Sequence, residues 1–470
     1  MTDSKALPFK EILLWIVCLA MLAVGAKNFE IGMSVDAPFY SSVSRNIARS
    51  GEWLVMSAST PDFIPYAEHP HLGYWTQAIF FKLFGATDPV ARIPGQIFYV
   101  LCMLMLFFGI RRLSSEKTAV WTLILLWSFD RFSNFFSNAY LDPGLLFFSG
   151  SSLFLFTNPT DKPRKKSILF LAGLLLGLGF MQKGMVNLGF GPAFAWVWFR
   201  EARRDFSVSL KTLVWFFSGM FFILGLYYLT VRFSSVPNFF EIYWASQSKQ
   251  RFGTRWDWQR LVGLKYWSLL LKDSHFLLPL IFFSLFRLKK LSVQIPLILL
   301  VTFSILYACA NLNGGQYWIT ILPWVAWLIA ENLLVRIPIP HRMLVTGTRY
   351  LSIALLFLVQ YTPLRVHGAK PPEEIETLRT RKLAIQAKGL YIDNYPLPSN
   401  FGDAGVYVWY VDLEAVYPPL QDVPPAERRT LYLLLNSEKA RIETLKNQGW
   451  CLETQFIKSS LWEDCKNRNQ

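Results

Sequence analysis

Long apolar runs recur through the first three quarters of the chain and constrain its fold more than any other feature. The hydrocarbon core of a bilayer is about 30 Å thick, which about 20 apolar residues cross as a helix. With 53% hydrophobic residues, 18 Trp and 40 Phe, this chain of 470 residues is too apolar for a soluble enzyme of its size. The pattern predicts an all-α polytopic membrane protein. The runs lie at about 11–26, 91–110, 118–136, 143–157, 168–199, 212–231, 267–286, 292–310, 317–335 and 344–361.

Charge in the gaps between these runs predicts the topology. The formal net charge is +15, but the basic residues cluster in short gaps rather than on one soluble face, which indicates the positive-inside pattern and no nucleic acid partner. The first run is followed by no clear small-residue cleavage site, so we interpret it as helix one. The predicted cytoplasmic gaps contain Lys5 and Lys10, Arg111 with Arg112 and Lys117, residues 162–166, residues 200–211, residues 287–290, and Arg336 with Arg342.

The run at 168–199 lies between two basic gaps, so it must cross the membrane an even number of times. Either two short crossings meet at "MQKGM", or the run is a re-entrant hairpin whose backbone is satisfied inside the protein. In both cases Lys183 and Gly184 lie at its outer end. Counting through gives about 11 crossings, a cytoplasmic N-terminus and an extracytoplasmic C-terminus, in a cytoplasmic (inner) membrane with the active site facing the periplasm or exterior.

The tail differs in composition from the rest of the chain. We predict a transmembrane domain over 1–362, including an extracytoplasmic first loop at 27–90 with surface helices, and a small extracytoplasmic α/β domain over 363–470. "AGVYVWYV" and "RTLYLLLN" have β-like composition, and "SEKARIETLKNQG" has the features of a helix. If the tail is extracytoplasmic, Cys451 and Cys465 can form a disulfide, whereas Cys18, Cys102 and Cys309 fall in apolar runs.

Two carboxylates and a lysine are expected on the same side of the membrane. Asp36 precedes an amphipathic stretch in which Tyr40, Val43 and Ile47 recur at helical spacing, which indicates a helix on the membrane surface. Asp36 and Asp142 are each explained equally well as helix caps, and Lys183 as a lysine that snorkels from a helix end. Together they suggest catalysis, because a shielded carboxylate can act as a general base and a cation can neutralise a phosphate leaving group.

Two further polar strings each allow two functional interpretations. "YAEHPHLGYW" places Glu68, His69 and His71 between Tyr66 and Tyr74, which allows a metal site with His275, but hydrogen bonding and phosphate contact explain it without one. "QSKQRFGTRWDW" has the composition of an interfacial aromatic belt with basic anchors. It equally suits an anionic headgroup site in which Arg251 binds a phosphate with its guanidinium fork.

Five strings, in order over residues 30–335, resemble the polyprenyl-phosphate-sugar-dependent glycosyltransferases of the C superfamily. Their nearest likeness is to the lipid A aminoarabinose transferases and, more loosely, to the protein O-mannosyltransferases. The strings are "DAPFYSSVSRNIARSGEW", "YAEHPHLGYWTQAIFFKLFGATDPVARIPG", "AYLDPGLLFFSGSSLFLF", "LAGLLLGLGFMQKGM" and "QYWITILPWVAWLIA".

The resemblance implies an inverting transfer of a sugar from a polyprenyl-phosphate carrier to a lipid, glycan or protein acceptor, in contact with membrane lipids. It makes Asp36 the first-loop catalytic aspartate and Asp142 the second acidic residue. Lys183 and Arg251, with His69, are the expected donor-phosphate ligands. Tyr40, Tyr66, Tyr74 and Gln316 are expected to contact substrate, and Glu68 matches an acidic residue that helps hold a metal in some members.

Two departures from the family pattern bear on substrate. His69 and His71 replace the family's lysine and second proline, and Gln316 stands where many members have a cation, so the phosphate site has fewer fixed positive charges. The chemistry requires no cofactor, since a lipid monophosphate leaving group needs nearby positive charge rather than a chelated metal, although a divalent cation is compatible with it.

Two other classes of function are rivals. A transporter or lipid flippase would have ionisable residues near the middle of the bilayer and two related halves, neither of which is visible in the sequence. A structural assembly protein would use its tail to bind partners.

Overall fold

The protein is a largely helical membrane protein with a small β-sheet. The computed structural model describes residues 6–25, 32–33, 36–58, 67–159, 164–233, 238–245, 247, 264–274, 277, 279–282, 288, 290–309, 315–361, 374–393, 407–412, 415–417, 426, 429–435, 439–456 and 459–466. Within these ranges five segments are long and apolar enough to cross a membrane: Asp88–Leu113, Lys166–Ala202, Phe206–Arg232, Leu291–Cys309 and Tyr317–Arg336. All five coincide with predicted apolar runs.

The helices of the described residues are numbered in chain order. They are α1 (Phe9–Ala20), α2 (Ala37–Ser50), α3 (Leu72–Phe84), α4 (Asp88–Leu113), α5 (Glu116–Ser128), α6 (Asp130–Phe136), α7 (Asp142–Phe156), α8 (Lys166–Lys183), α9 (Gly191–Ala202), α10 (Phe206–Arg232), α11 (Phe239–Trp244), α12 (Leu264–Asp273), α13 (Leu291–Cys309), α14 (Leu322–Asn332), α15 (His341–Tyr361), α16 (Glu374–Ile385) and α17 (Lys439–Asn447). Short 3₁₀ segments precede α9 at Gly184–Phe190 and α14 at Gly315–Thr320.

The chain divides into two compact units. The first comprises Met1–Phe29, Ala67–Gly73 and Arg92–Val366, and the second comprises Glu30–Tyr66, Tyr74–Ala91 and His367–Gln470. Most of the first loop therefore groups with the tail. The predicted division at residue 363 stays a prediction, since the units follow spatial contacts rather than one cut in the sequence.

In the first unit, α8 and α9 form the predicted apolar hairpin. Arg164, just before α8, makes an ion pair with Glu201 near the end of α9, so the chain returns to the side from which it came. Asn187 donates a hydrogen bond of 2.9 Å to the carbonyl oxygen of Leu176, which holds the returning arm against α8. Lys183 consequently lies at the tip of the hairpin.

Close approach of α8 to α10 fixes this hairpin in the bundle. A Cβ atom on Gly173 would lie 1.8 Å from the carbonyl oxygen of Phe216, and one on Gly219 would lie 2.0 Å from that of Phe170. Membrane helices pack closely where small residues face each other, because lipid supplies no hydrophobic drive between helices. The glycines of the run at 168–199 thus let α8 pack directly on α10.

In the second unit, a five-stranded mixed sheet has the order β2-β1-β3-β5-β4. The strands are β1 (Gly389–Asp393), β2 (Ala415–Tyr417), β3 (Thr430–Leu435), β4 (Trp450–Gln455) and β5 (Ser459–Asp464). β1 pairs in parallel with β2 and β3, while β5 is antiparallel to β3 and β4. Cys451, near the start of β4, and Cys465, just after β5, form the disulfide that the sequence left open.

The predicted strand in "AGVYVWYV" is wrong for the residues that the structure describes. Residues 407–411 are helical, although "RTLYLLLN" and the helix after it form β3 and α17 as predicted. Every residue from Tyr407 to Val411 is buried. A short helical turn lets consecutive large side chains pack in different directions, so tertiary contacts override the β propensity of the string.

Candidate active site

In the first unit, Asp142 and Lys183 form a buried ion pair where the start of α7 meets the end of α8. The Lys183 ammonium donates to Asp142 Oδ2, and the two residues are 0% and 2% exposed. An anion at a helix N-terminus and a cation at a helix C-terminus are each stabilised by the helix dipole. The two helix ends therefore stabilise the ion pair between them.

This geometry decides two of the open alternatives. The cap residue of α7 is Leu141, and Asp142 occupies the first helical position with its side chain on Lys183. Lys183 does not snorkel, since its ammonium is buried on Asp142 rather than extended toward the headgroups. Asp142 and Lys183, two of the predicted site residues, therefore lie together inside the first unit.

Gly184 shapes the turn that presents Lys183. Its φ of +69° is in the region that favours glycine, and a Cβ atom there would lie 1.8 Å from the Tyr243 hydroxyl oxygen. That hydroxyl accepts a hydrogen bond of 3.0 Å from the Met185 backbone N–H. Position 184 thus has neither the backbone conformation nor the space for a side chain.

Two tyrosines, Tyr317 and Tyr307, form an aromatic wall beside the Lys183 ammonium. The Lys183 Nζ atom lies 5.3 Å from the ring centroid of Tyr317, within the range of a cation–π contact. Tyr317 packs against Tyr307, whose hydroxyl is 2.7 Å from Thr320 Oγ1. The backbone of Gln316 lies beside this wall, but its side chain is outside the described part of the structure.

Sequence reasoning missed Gln182. Its side chain is 2% exposed, and its Nε2 atom donates 3.2 Å to the Leu141 carbonyl oxygen. A carbonyl oxygen only accepts, so the amide oxygen must face the other way. That oxygen and Asp142 Oδ1 are both buried and have no hydrogen-bond partner among the described residues. The glutamine lies inside the quoted "MQKGM", but nothing in the string distinguishes it from a packing residue.

Two buried acceptors that have no partner among the described residues suit a ligand that brings hydrogen-bond donors. An unsatisfied buried acceptor costs about 1–3 kcal/mol, so a hydroxyl-bearing ligand or an ordered water is favoured there. The ammonium can at the same time contact an anionic oxygen, because Lys has three donors and no acceptor.

The histidines of "EHPH" are buried in the same unit. His69 is 2% exposed and His71 is fully buried. His71 Nδ1 lies 2.8 Å from the Tyr227 hydroxyl, and its ring packs on Phe239. The Glu68 carbonyl oxygen accepts a 2.7 Å hydrogen bond from Gln247. These contacts hold the string against α10, α11 and the segment that follows.

Within the described ranges no three His, Cys, Asp or Glu side chains come together as a metal-binding group. His275, the predicted partner of Glu68, lies outside the described residues, so the cation remains a prediction. No chemical step below depends on a metal.

In the second unit, Asp36 occupies the N-cap position of α2, but its side chain does not act as a cap. Its φ and ψ are −81° and −15°, and its side chain accepts no capping hydrogen bond. Its backbone carbonyl oxygen accepts a hydrogen bond of 3.0 Å from the Tyr40 backbone N–H. The cap explanation therefore fails for the carboxylate, which is partly buried.

Two predicted substrate-binding tyrosines meet in this unit. The rings of Tyr40 on α2 and Tyr74 on α3 make an edge-to-face contact with centroids 5.9 Å apart. Both are buried, so each orients the other. Tyr66 and Arg251 lie outside the described residues, as does the "QSKQRFGTRWDW" string apart from Gln247.

Comparison with known proteins agrees with the five-string resemblance. Residues 68–228 match the family model described as dolichyl-phosphate-mannose-protein mannosyltransferase. An undecaprenyl phosphate-α-4-amino-4-deoxy-L-arabinose arabinosyl transferase of Edwardsiella ictaluri is 31% identical over 36% of this chain and 31% of its own length. One of the same name from Shewanella sediminis is 24% identical over 51% of this chain and 43% of its own length. The matches thus span less than half of these relatives.

The fold likeness extends over the whole chain. ArnT from Cupriavidus metallidurans, solved bound to undecaprenyl phosphate, superposes with a TM-score of 0.66 and 13% identity over 96% of each chain. The Archaeoglobus fulgidus oligosaccharyltransferase gives a TM-score of 0.50 and 11% identity, over 97% of this chain and 73% of that one. The predicted resemblance to these glycosyltransferases is confirmed as a similarity, and the chain shares the fold of the two solved proteins.

A matched pair of variants tests the orphaned acceptor. Gln182→Leu should lower kcat/KM for the sugar donor about 10-fold, roughly the value of one buried hydrogen bond. Asn187→Leu is the control, because Asn187 is also buried in the hairpin but has its amide satisfied by Leu176 and Ser149. Thermal stability is measured for both. Equal losses of activity at equal loss of stability would make Gln182 a packing residue only.

Proposed function

We propose that this chain is an inverting glycosyltransferase of the inner membrane that moves a sugar from a polyprenyl-phosphate carrier to a lipid, glycan or protein acceptor. The observation that carries the proposal is the buried Asp142–Lys183 pair at the tip of the hairpin, in a fold shared with transferases of this kind. A lysine held on a carboxylate in a shielded site is suited to an anionic leaving group. The undecaprenyl phosphate-linked aminoarabinose in the names of the sequence relatives supports a polyprenyl-phosphate donor.

The reaction assigns a role to each group. Asp36 takes the proton of the acceptor nucleophile as that atom attacks the anomeric carbon. The bond from that carbon to the phosphate oxygen breaks on the opposite face, and its electron pair stays on the lipid phosphate, so the configuration inverts. Lys183, with Arg251 and protonated His69, neutralises the charge that develops there. Asp142 orients Lys183, while Tyr40, Tyr66, Tyr74 and Gln316 contact substrate.

The proposed topology has about 11 crossings, with Asp36, the Lys183 turn and the tail on the periplasmic or exterior side. Thiol labelling tests it with a cysteine introduced at Asn400 and a control cysteine at Arg204, in a basic gap predicted to be cytoplasmic. An impermeant reagent should label position 400 while the cytoplasmic membrane is intact, and position 204 only after that membrane is permeabilised. The reverse order would overturn the orientation.

Comparative mass spectrometry tests the activity in cells and identifies the sugar and acceptor. Lipids and glycans are compared between cells that contain the protein, cells that lack it, and cells that carry Asp36→Asn. The proposal predicts one glycan or lipid species whose sugar disappears in both deficient strains, together with accumulation of the polyprenyl-phosphate sugar. Identical profiles in all three strains would contradict it.

A further inference from the structure

We propose that residues 407–412 of the tail act as a clamp that positions α2, and with it Asp36, through the buried side chain of Arg45. The inference rests on the catalytic role proposed for Asp36. It gives the C-terminal region a part in catalysis that requires no contact with the acceptor. Arg45 is a positioning residue, since it acts through the helix that follows Asp36.

Arg45 is bound to the clamp by three acceptors. Its Nη1 atom donates 2.8 Å to the Trp409 carbonyl oxygen, and its Nη2 atom donates 3.0 Å to that of Val408. Nη2 also lies 2.9 Å from Asp412 Oδ1, and the guanidinium lies 5.2 Å from the Trp409 ring centroid. The residue is 3% exposed. This arrangement of acceptors matches the planar guanidinium of an arginine, whose donors form a fixed fork. The ammonium of a lysine does not match it.

A second group of bonds holds the chain that leads into α2. Asp88 accepts 2.7 Å from Trp409 Nε1 and 2.8 Å from the Tyr410 hydroxyl. It also accepts 3.0 Å from the Gly32 backbone N–H. The Tyr410 hydroxyl accepts in turn from the Met33 backbone N–H at 3.0 Å. Asp36 thus lies between two attachments to residues 407–412, one at 32–33 and one at 45.

The buried charges of the clamp fix the position of α2 rather than add to the free energy of unfolding. Burial lowers the pKa of the Arg45 guanidinium to about 10, although Asp412 opposes the shift. Burial also disfavours the Asp412 carboxylate, but hydrogen bonds from Arg49 and the charge of Arg45 outweigh it and hold the pKa of that carboxyl below its usual value. The Asp412 contribution is therefore complete above the ordinary aspartate pKa and is lost as pH falls through the lowered one. Apolar side chains would fill such a site at least as stably, but they would not fix one register of α2 on the tail.

Arg49 provides a matched control. It contacts the same Asp412 carboxylate with two hydrogen bonds of 2.9 and 2.8 Å, but its side chain is 57% exposed. Removal of Arg49 takes one ion pair from the surface of the clamp and leaves the bonds from Arg45 to Val408 and Trp409 in place. Tyr410→Phe is a milder second variant, which removes only the hydroxyl that joins Met33 to Asp88.

The experiment combines the transfer rate with hydrogen exchange of the full-length protein in detergent or nanodiscs. In Arg45→Ala, kcat should fall about 100-fold, as expected for a misplacement of about 1 Å, with the donor KM within about twofold of the wild type. Exchange should rise in residues 37–50 while β1 and β3 stay protected. Arg49→Ala should keep wild-type kcat, and Tyr410→Phe should show the same local change at roughly a tenth of the effect on kcat.

The outcomes separate this inference from the proposed function. If the wild type transfers no sugar, the proposed function fails. If the wild type is active and either Arg45→Ala or Tyr410→Phe loosens 37–50 at full kcat, the clamp is overturned. If Arg45→Ala loses protection throughout the sheet, the test of the clamp is made with Tyr410→Phe. A reduced kcat with faster exchange confined to residues 37–50 then supports the clamp, and an unchanged kcat contradicts it.

Discussion

Asp36→Asn should reduce sugar transfer from a polyprenyl-phosphate donor by at least about a thousandfold, within the range for loss of a general base. The amide has the same shape but cannot accept the proton of the acceptor nucleophile. The Asp36 side chain makes no capping hydrogen bond to α2, so the helix does not depend on its carboxylate as a cap. The variant should therefore insert and fold as the wild type does, and the lost rate should be in kcat.

Glu52→Gln is the control for this result. Glu52 is an exposed acid two residues beyond the end of α2, so its substitution removes one negative charge from the same region without touching the site. It should transfer sugar at the wild-type rate. Full activity in Asp36→Asn would remove the proposed base, and equal losses in both variants would point to a general charge effect.

The second large effect is expected at the Asp142–Lys183 pair. Lys183→Met leaves a buried carboxylate without its partner, and Asp142→Asn leaves a buried ammonium, so each single change should cost about 3–5 kcal/mol of stability. The double variant buries no net charge and should recover most of that loss. Transfer should stay at least about 100-fold below wild type in all three, because none retains a lysine held on a carboxylate at the tip of the hairpin. Thermal unfolding in detergent and the transfer rate measure the two effects separately.

A second ion pair in the same hairpin serves as the comparison. Arg164 and Glu201 join its opposite end, with side chains 7% and 22% exposed. Arg164→Met with Glu201→Gln should lower stability while leaving kcat near the wild-type value. If the Asp142–Lys183 double variant regained activity along with stability, that pair would be structural in the same sense as Arg164–Glu201.

Hydrophobic pattern and charge were sufficient to predict most of the helical fold. The apolar runs became α4, α8 to α10 and α13 because segments of that length are stable in lipid only as helices. The hairpin around Lys183 followed from parity between two basic gaps, and the spacing of Tyr40, Val43 and Ile47 predicted α2. All of these predictions depend on local sequence or on the number of membrane crossings between two basic gaps.

Contacts between distant residues could not be predicted in this way. Asp142 and Lys183 are 41 residues apart, and the sequence indicated only a shared side of the membrane. Arg45 is buried because its partners come from the tail, 363 and 364 residues later, and no local pattern indicates them. Gln182 and the helical turn at 407–411 were not predicted for the same reason, because the residues that pack around them come from other parts of the chain.

The most direct test of the account is a reaction of the purified protein in nanodiscs with a polyprenyl-phosphate sugar and a membrane extract as acceptor. Free polyprenyl phosphate and the anomeric configuration of the product are measured by mass spectrometry and NMR. The account predicts release of polyprenyl phosphate in step with an inverted glycoside, and no release with Asp36→Asn. Donor that stays intact here, but crosses the bilayer when the protein is reconstituted in sealed vesicles, would contradict the account and identify a flippase.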